Sequence, residues 1–404
     1  MLNWDLILFL AFILIMALLI IRDRKKVKRE GIILIRRTKK GRDFVDKVAK
    51  RNPRLWNILS IIGIAVAIPA LVLVSAFLIN NTYGIVSGTV KEGGVRLLLP
   101  GPVSAPVLGP AVFIVPWWIW VIGVMSVMIP HEFSHGIMCR LEKIRILSVG
   151  WILFLIIPGA FVEPDEKQLK KARRSTRLKV YAAGSFANIA LAFIIILLFT
   201  AIFSILFTPA GVYFQTVENS TANLTGMSGS IIEMDNQKIV SPDDISAILL
   251  NHKPGDTIEV KTTQSNYMVP YMSLFGSNLS DFFAPKPAIV TDLNNIHNYT
   301  VTLAEHPDEK DRAYLGISTS DKPTYLLGVD PQLYLSISML LIWIFIFNLG
   351  IGLVNLLPIK PLDGGLVFEV IAEKFSRRSA VIVKAVSGIM LALLIFNLIG
   401  PLFI

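Results

Sequence analysis

The sequence predicts a polytopic α-helical membrane protein of about six transmembrane helices and one re-entrant segment, with an α+β domain inserted between two of the spans. Three observations carry this prediction. Hydrophobic residues fill 53% of the 404 positions and charged residues only 17%, too few charges to clothe a water-exposed surface over so long a chain. The apolar residues gather into runs long enough to cross the roughly 30 Å hydrocarbon core as helices of about 20 residues. Basic residues concentrate in alternate loops, the distribution that orients helices in a bilayer. The net charge of +10 therefore reports topology, and no nucleic-acid partner is expected. A single cysteine, Cys139, excludes a disulfide framework and a cysteine-based zinc finger.

The first run, Leu6 to Ile21, is followed, not preceded, by the basic cluster Arg22, Arg24, Lys25, Lys26, Lys28 and Arg29. That order suits an anchor with its N-terminus outside better than a signal peptide. Residues 22 to 56 hold 15 Lys and Arg before the second run, Asn57 to Ile79, and residues 80 to 112 after it hold 2. The proline-rich stretch Lys91 to Pro116 suits a chain that dips back toward the bilayer. The third run is Phe113 to Cys139 and the fourth Val180 to Phe207, and the 140 to 179 loop between them holds 10 basic residues. Residues 208 to 330 hold 7 basic against 15 acidic residues, a net −8. The fifth and sixth runs, Leu333 to Leu357 and Ala380 to Ile404, flank a loop (360 to 384) with 5 basic residues. The positive-inside rule thus places the basic loops in the cytoplasm and the acidic domain outside the cell membrane.

The short apolar stretch Trp151 to Val162 cannot cross, because Arg145 and Lys167 on its flanks both lie on the cytoplasmic side. It is read as a re-entrant or interfacial segment, tolerated at depth only when buried in protein or lining a cavity; a hairpin lying among the headgroups is the alternative. The expected organisation is therefore residues 1–112 as two N-terminal spans with their loops, 113–207 and 331–404 as the two parts of a membrane core, and 208–330 as the external domain.

The third run ends in His131-Glu132-Phe133-Ser134-His135. Two histidines four apart share one helix face and can ligate one zinc, and the glutamate beside the first can take a proton from water. Ionisable groups inside a bilayer are costly and mark function by default. The remaining histidines, His252, His297 and His306, all lie in the outer domain, so Asp363 is the best candidate for a third ligand. It follows Pro358 and Pro361, which interrupt the helix, and precedes Gly364-Gly365, which permit close backbone approach. An Asp363 that merely caps the next helix is the alternative. His131 lies nine residues before Arg140 and Asn188 nine after Lys179, so at 1.5 Å per residue both sit about 13 Å in from the cytoplasmic end. Asn188 closes Gly184-Ser185-Phe186-Ala187-Asn188, whose small residues allow close helix packing.

Together these residues resemble the site-2 protease family of intramembrane zinc metalloproteases, whose marks are HExxH in one membrane helix, a GxxxN segment in the next and N-x-x-P…D-G in a later one. Here they read His131 to His135, Gly184 to Asn188, and Asn355 through Pro358 to Asp363-Gly364, in a region from about Pro116 to Glu373. The resemblance implies one Zn2+ per chain held by His131, His135 and Asp363, with Glu132 as general base. It also implies that Asn188 and Asn355, with Gly184, help hold the substrate's extended backbone or its developing oxyanion. The segment Pro158 to Pro164 looks like the family's membrane loop that pairs edge-on with an unwound substrate. The substrates implied are transmembrane segments of single-span proteins, in regulated intramembrane proteolysis, with the active site in the cytoplasmic third of the bilayer.

The outer domain looks like a circularly permuted PDZ module. Gly226-Met227, Ile231 to Gln237, Ser241 to Ile245 and Lys253 to Ile258 follow its strand, turn and helix pattern, and the usual first-strand motif comes last as Tyr314-Leu315-Gly316-Ile317. Such a loop offers backbone N–H groups to a peptide C-terminus. Residues 264 to 297 have no obvious PDZ counterpart and are read as an insertion able to cover the groove. Asn-x-Ser/Thr triplets at Asn80, Asn219, Asn223, Asn278 and Asn298 all fall on the side assigned as external. Two other functions compete: a zinc transporter using His and Asp as a pathway, and an inactive adaptor with structural zinc. The transporter leaves Glu132 and the attached module unexplained.

Overall fold

The computed structural model describes residues 4–22, 27–30, 33–90, 93–103, 106–109, 111–154, 157–264, 266–271, 286–291, 295–320, 322 and 324–402. Asn278 and part of the first basic cluster, Arg24 to Lys26, lie outside the described residues. The helices in chain order are α1 (Trp4–Arg22), α2 (Lys39–Arg51), α3 (Pro53–Val86), α4 (Trp117–Leu141), α5 (Glu166–Lys171), α6 (Arg174–Leu206), α7 (Thr221–Leu224), α8 (Pro242–Leu249), α9 (Pro331–Val354), α10 (Asp363–Phe375) and α11 (Ser379–Ile399). The chain divides into two compact units, Met1–Phe193 with Trp343–Ile404, and Ile194–Ile342.

This is an integral membrane protein. Among the described residues four helices, α3, α6, α9 and α11, are long and apolar enough to cross a bilayer, where about six were expected. Helices also occupy the other two apolar runs, with less apolar length. α1 contributes the shorter stretch Phe9–Arg22, and in α4 three tryptophans, Pro130 and the His131-Glu132 pair dilute the apolar residues. α3 starts where sequence rules place a helix start. Pro53 is in its first turn and the Asn52 side chain accepts from the Leu55 N–H at 3.1 Å, satisfying a donor the helix itself cannot. Its exposed faces carry Ile61, Val72, Leu73 and Phe77, as lipid contact requires.

The structure departs most from the sequence reading in its sheets. Strands Val27–Glu30, Ile33–Thr38, Ile146–Phe154 and Ile157–Pro164 form one antiparallel sheet in that order. The described parts of Trp151 to Val162, expected to be re-entrant or interfacial, pair as the last two strands of this four-stranded sheet, with Ile157–Pro164 at its edge. Strand pairing satisfies the backbone groups that an apolar loop would leave bare. The proline-rich stretch also pairs, as Leu97–Gly101, Val107–Leu108 and Val112–Pro116. Buried Val45, Ile137, Val149, Val162, Val180, Ala183, Leu356 and Val367 form one core joining α2, α4, the last two strands of the four-stranded sheet, α6 and α10. Gly136 lets these layers meet, since a Cβ there would lie 3.2 Å from Val45 and 3.3 Å from Val162.

The second unit holds a main sheet ordered Ile296–Thr302, Thr257–Thr263, Ser230–Met234, Val212–Thr216, Ile317–Thr319. Its core contains Val212, Phe214, Ile231, Met234, Ile245, Ile258, Val260, Val301 and Leu315. α8 is fixed by a capping box, in which Ser241 and Asp244 satisfy each other's backbone N–H. The expected insertion, 264 to 297, supplies strands Asn266–Tyr271 and Lys286–Thr291 of a second sheet, completed by Thr324–Leu327 and Phe207–Pro209; its residues 272–285 lie outside the described residues.

Candidate metal centre

α4 delivers both histidines from one face, as a spacing of four residues requires. The imidazole Nε2 atoms of His131 and His135 lie 3.2 Å apart. Asp363 arrives from the break after α9. The chain leaves the helix at Val354, turns through Pro358 and Pro361, and enters α10 with Asp363 as its first residue. The Gly364 N–H donates to the Asn355 carbonyl at 2.7 Å, and a Cβ on Gly364 would lie 2.0 Å from the Leu356 carbonyl oxygen, so only glycine permits this turn. The Asp363 carboxylate then lies 3.5 Å from His131 Nε2 and 3.3 Å from His135 Nε2. Capping α10 is not its main contact.

The two imidazoles face different oxygens of the carboxylate, and one ligand atom from each of the three residues lies within 4.8 Å of the others, so the three groups can converge on one ion. Two imidazoles and one carboxylate also form the donor set of catalytic zinc sites, which leave one position open. The residues therefore fit a zinc ion. One oxygen of the Glu132 carboxylate, Oε2, accepts from the Val162 N–H at 2.9 Å. Val162 sits in the edge strand, and its N–H is turned away from the neighbouring strand. By the alternation of a β-strand, Ala160 turns its N–H and C=O to the same side, away from the neighbouring strand.

α6 passes directly against the site. The Val180 carbonyl lies 2.7 Å from His135 Nδ1. The Ser185 hydroxyl donates to Asp363 Oδ2 at 2.8 Å. The Asn188 amide lies 3.1 Å from His131 Nδ1. Gly184 stands between them, and a Cβ there would lie 2.3 Å from His135 Nε2 and 2.7 Å from His131 Nε2. Asn188 and Ser185 are fully buried.

The structure thus brings His131, Glu132, His135, Gly184, Asn188 and Asp363 together, and Asn355 joins through its backbone while its side chain is half-buried. Ser185 and Val180 were not singled out from sequence. Ser185 offered only the signal of a hydroxyl beside the glycine, and Val180 acts through its backbone and offered none. In the second unit, Leu315 is buried and Gly316 has φ +77. The Gly316 carbonyl accepts from the Val217 N–H and the Ser220 hydroxyl, each at 2.9 Å. Tyr314 is the last residue of a short strand and Ile317 the first of the edge strand of the main sheet.

Comparison with known proteins identifies the family. The model of peptidase family M50 matches residues 119–397, more than half of the chain. An uncharacterized protein of Methanocaldococcus jannaschii is 26% identical over 390 residues, covering 95% of this chain and 90% of that protein. The chain belongs to peptidase family M50, the site-2 protease family, and is a membrane metalloprotease of that type. Proteases of this family are in general zinc-dependent.

Proposed function

We propose that this member of peptidase family M50 is an intramembrane zinc endopeptidase that cleaves transmembrane segments of single-span membrane proteins, in regulated intramembrane proteolysis. His131, His135 and Asp363 hold one Zn2+ per chain. The observation that carries the proposal is the convergence of those three donor groups, one ligand atom from each lying within 4.8 Å of the others, one residue away from a carboxylate held by the N–H of an edge strand.

A zinc held by these three residues would supply a Lewis acid for the scissile carbonyl and for the attacking water. Glu132 takes the proton of the attacking water and passes it to the leaving amine. The Val162 N–H holds one Glu132 oxygen at 2.9 Å, which fixes the carboxylate while it exchanges that proton. A helical substrate must first unwind, because its carbonyls are otherwise engaged in its own hydrogen bonds. The unwound stretch adds as a strand at Ala160, and the Asn355 side chain steadies the substrate backbone. The basic loops are cytoplasmic by their charge, so water enters from the cytoplasmic side. By the same charge pattern, the N-terminus and the second unit's main sheet lie outside the cell membrane. That sheet is a PDZ-like module whose Tyr314-Leu315-Gly316-Ile317 loop receives peptide C-termini.

The test is reconstitution into liposomes with a single-span reporter. Cleavage inside the reporter's membrane segment, lost on zinc chelation and restored by zinc, is expected. Cuts confined to the reporter's aqueous parts would contradict the proposal, and zinc flux into the same liposomes would favour a transporter.

A further inference from the structure

α4 and α10 carry the candidate ligands, and α6 supplies a polar contact to each of them. Val180 contacts His135, Ser185 contacts Asp363 and Asn188 contacts His131. At 100° per residue, positions 180, 184, 185 and 188 fall within an arc of about 140°, so one helix face serves the whole centre. Gly184 lets that face approach.

The Asn188 contact has a chemical asymmetry. Its Nδ2 lies 3.1 Å from His131 Nδ1, while its Oδ1 is buried with no hydrogen-bond partner among the described residues. An amide N–H directed at Nδ1 requires that nitrogen to be bare, which puts the imidazole proton on Nε2, the atom that faces His135 and Asp363. A metal on Nε2 requires the opposite: Nε2 bare, the proton on Nδ1 and an acceptor beside it. A half-turn of the Asn188 amide exchanges its two ends within the same contact and brings the orphaned Oδ1 onto Nδ1–H.

We infer that Asn188 is a positioning residue of the metal centre: its Oδ1 accepts from His131 Nδ1–H and holds Nε2 toward the metal, which makes α6 the helix that aligns all three ligands. This rests on the zinc reading above and refines it, since it assigns Asn188 to His131 and not to the substrate's oxyanion. The two roles demand opposite chemistry. Holding His131 needs an acceptor, which aspartate retains, whereas stabilising an oxyanion needs a donor, which aspartate lacks.

Zinc affinity is measured on the purified full-length protein in detergent by competition with a chromophoric chelator, for the unmodified chain, Asn188→Asp and Asn188→Leu, with cleavage per bound zinc recorded alongside. The inference predicts affinity about 10- to 100-fold weaker in Asn188→Leu, at least tenfold recovered in Asn188→Asp, and cleavage per bound zinc in Asn188→Asp within a few-fold of the unmodified chain. Unchanged affinity in Asn188→Leu, or Asn188→Asp as weak as Asn188→Leu, overturns it. So does an Asn188→Asp protein of full affinity whose cleavage per zinc falls about a hundredfold, the size expected for a lost oxyanion donor. An unmodified chain that binds no stoichiometric zinc overturns the zinc reading and this inference together; the other outcomes bear on this inference alone.

Discussion

The His252 imidazole in the second unit lies between two carboxylates, 2.9 Å from Asp235 and 3.6 Å from Asp256. In the first unit, two imidazoles face one carboxylate at 3.3 and 3.5 Å. The distances are alike and the surroundings are not. Asp235 Oδ1 accepts from the Glu259 N–H at 3.0 Å and Asp256 Oδ2 from the Lys253 N–H at 2.8 Å. Those carboxylates close turns, and the side chains are partly open to water, 24% for His252 and 49% for Asp256. At His131, His135 and Asp363 the side chains are 11 to 16% exposed, and each has a partner from α6. Closeness of histidine to carboxylate therefore does not make a metal site. Ligand atoms turned toward one another in a buried setting distinguish the proposed one.

Predictions follow from that contrast in order of size. Replacing Asp363 by alanine removes the only carboxylate of the three donors and should abolish stoichiometric zinc and with it all cleavage; retained zinc by atomic absorption would show that another group ligates. Gly184→Ala puts a methyl group 2.3 Å from His135 Nε2 and should weaken zinc binding about a hundredfold, as large as losing an outer partner. An affinity equal to that of the unmodified chain would mean that α6 does not pack against the ligands. His252→Ala, by contrast, should leave zinc content and cleavage unchanged and lower stability by no more than about 1 kcal/mol, since its contacts with the two carboxylates are partly solvated. A drop in zinc per chain would mean the two clusters are alike after all.

The smallest effect is expected at Asp244. Hydrogen bonds from the Val240 and Ser241 backbone N–H groups hold its carboxyl below the usual range. A folded value below the unfolded one means its contribution is complete above the unfolded value of about 4 and is lost as pH falls through the folded one. Asp244→Ala should therefore lower the melting temperature slightly at neutral pH, and the difference should narrow in acid; a difference that grows below about pH 4 would have the wrong sign.

The grouping of the proposed ligands was largely legible in the sequence because its parts obey short-range rules. The HExxH spacing fixes a helix face. Counting residues from Arg140 and from Lys179 puts His131 and Asn188 at one depth, and the structure places them 3.1 Å apart. The prolines and glycines around Asp363 require a break, and a break is found there. The sheets were not legible in the same way. Ile33 pairs with Phe154 and Ile157 with that same Phe154, and hydropathy cannot tell an apolar strand that covers α4 from one that enters lipid. Likewise the capping box at Ser241 and Asp244 is written locally, whereas the parallel pairing of Ile289 with Thr324 depends on chain neighbours that no local pattern names. Val180 contributes a carbonyl, which every residue has.

The central claim is that Glu132 does acid–base work at a zinc centre of a membrane protease. Its most direct test is the rate of reporter cleavage per bound zinc in liposomes for Glu132→Gln against the unmodified chain. One zinc per chain in both proteins, with cleavage in the variant down by at least about 10²- to 10⁴-fold, is the predicted result. Undiminished cleavage at equal zinc content would contradict it.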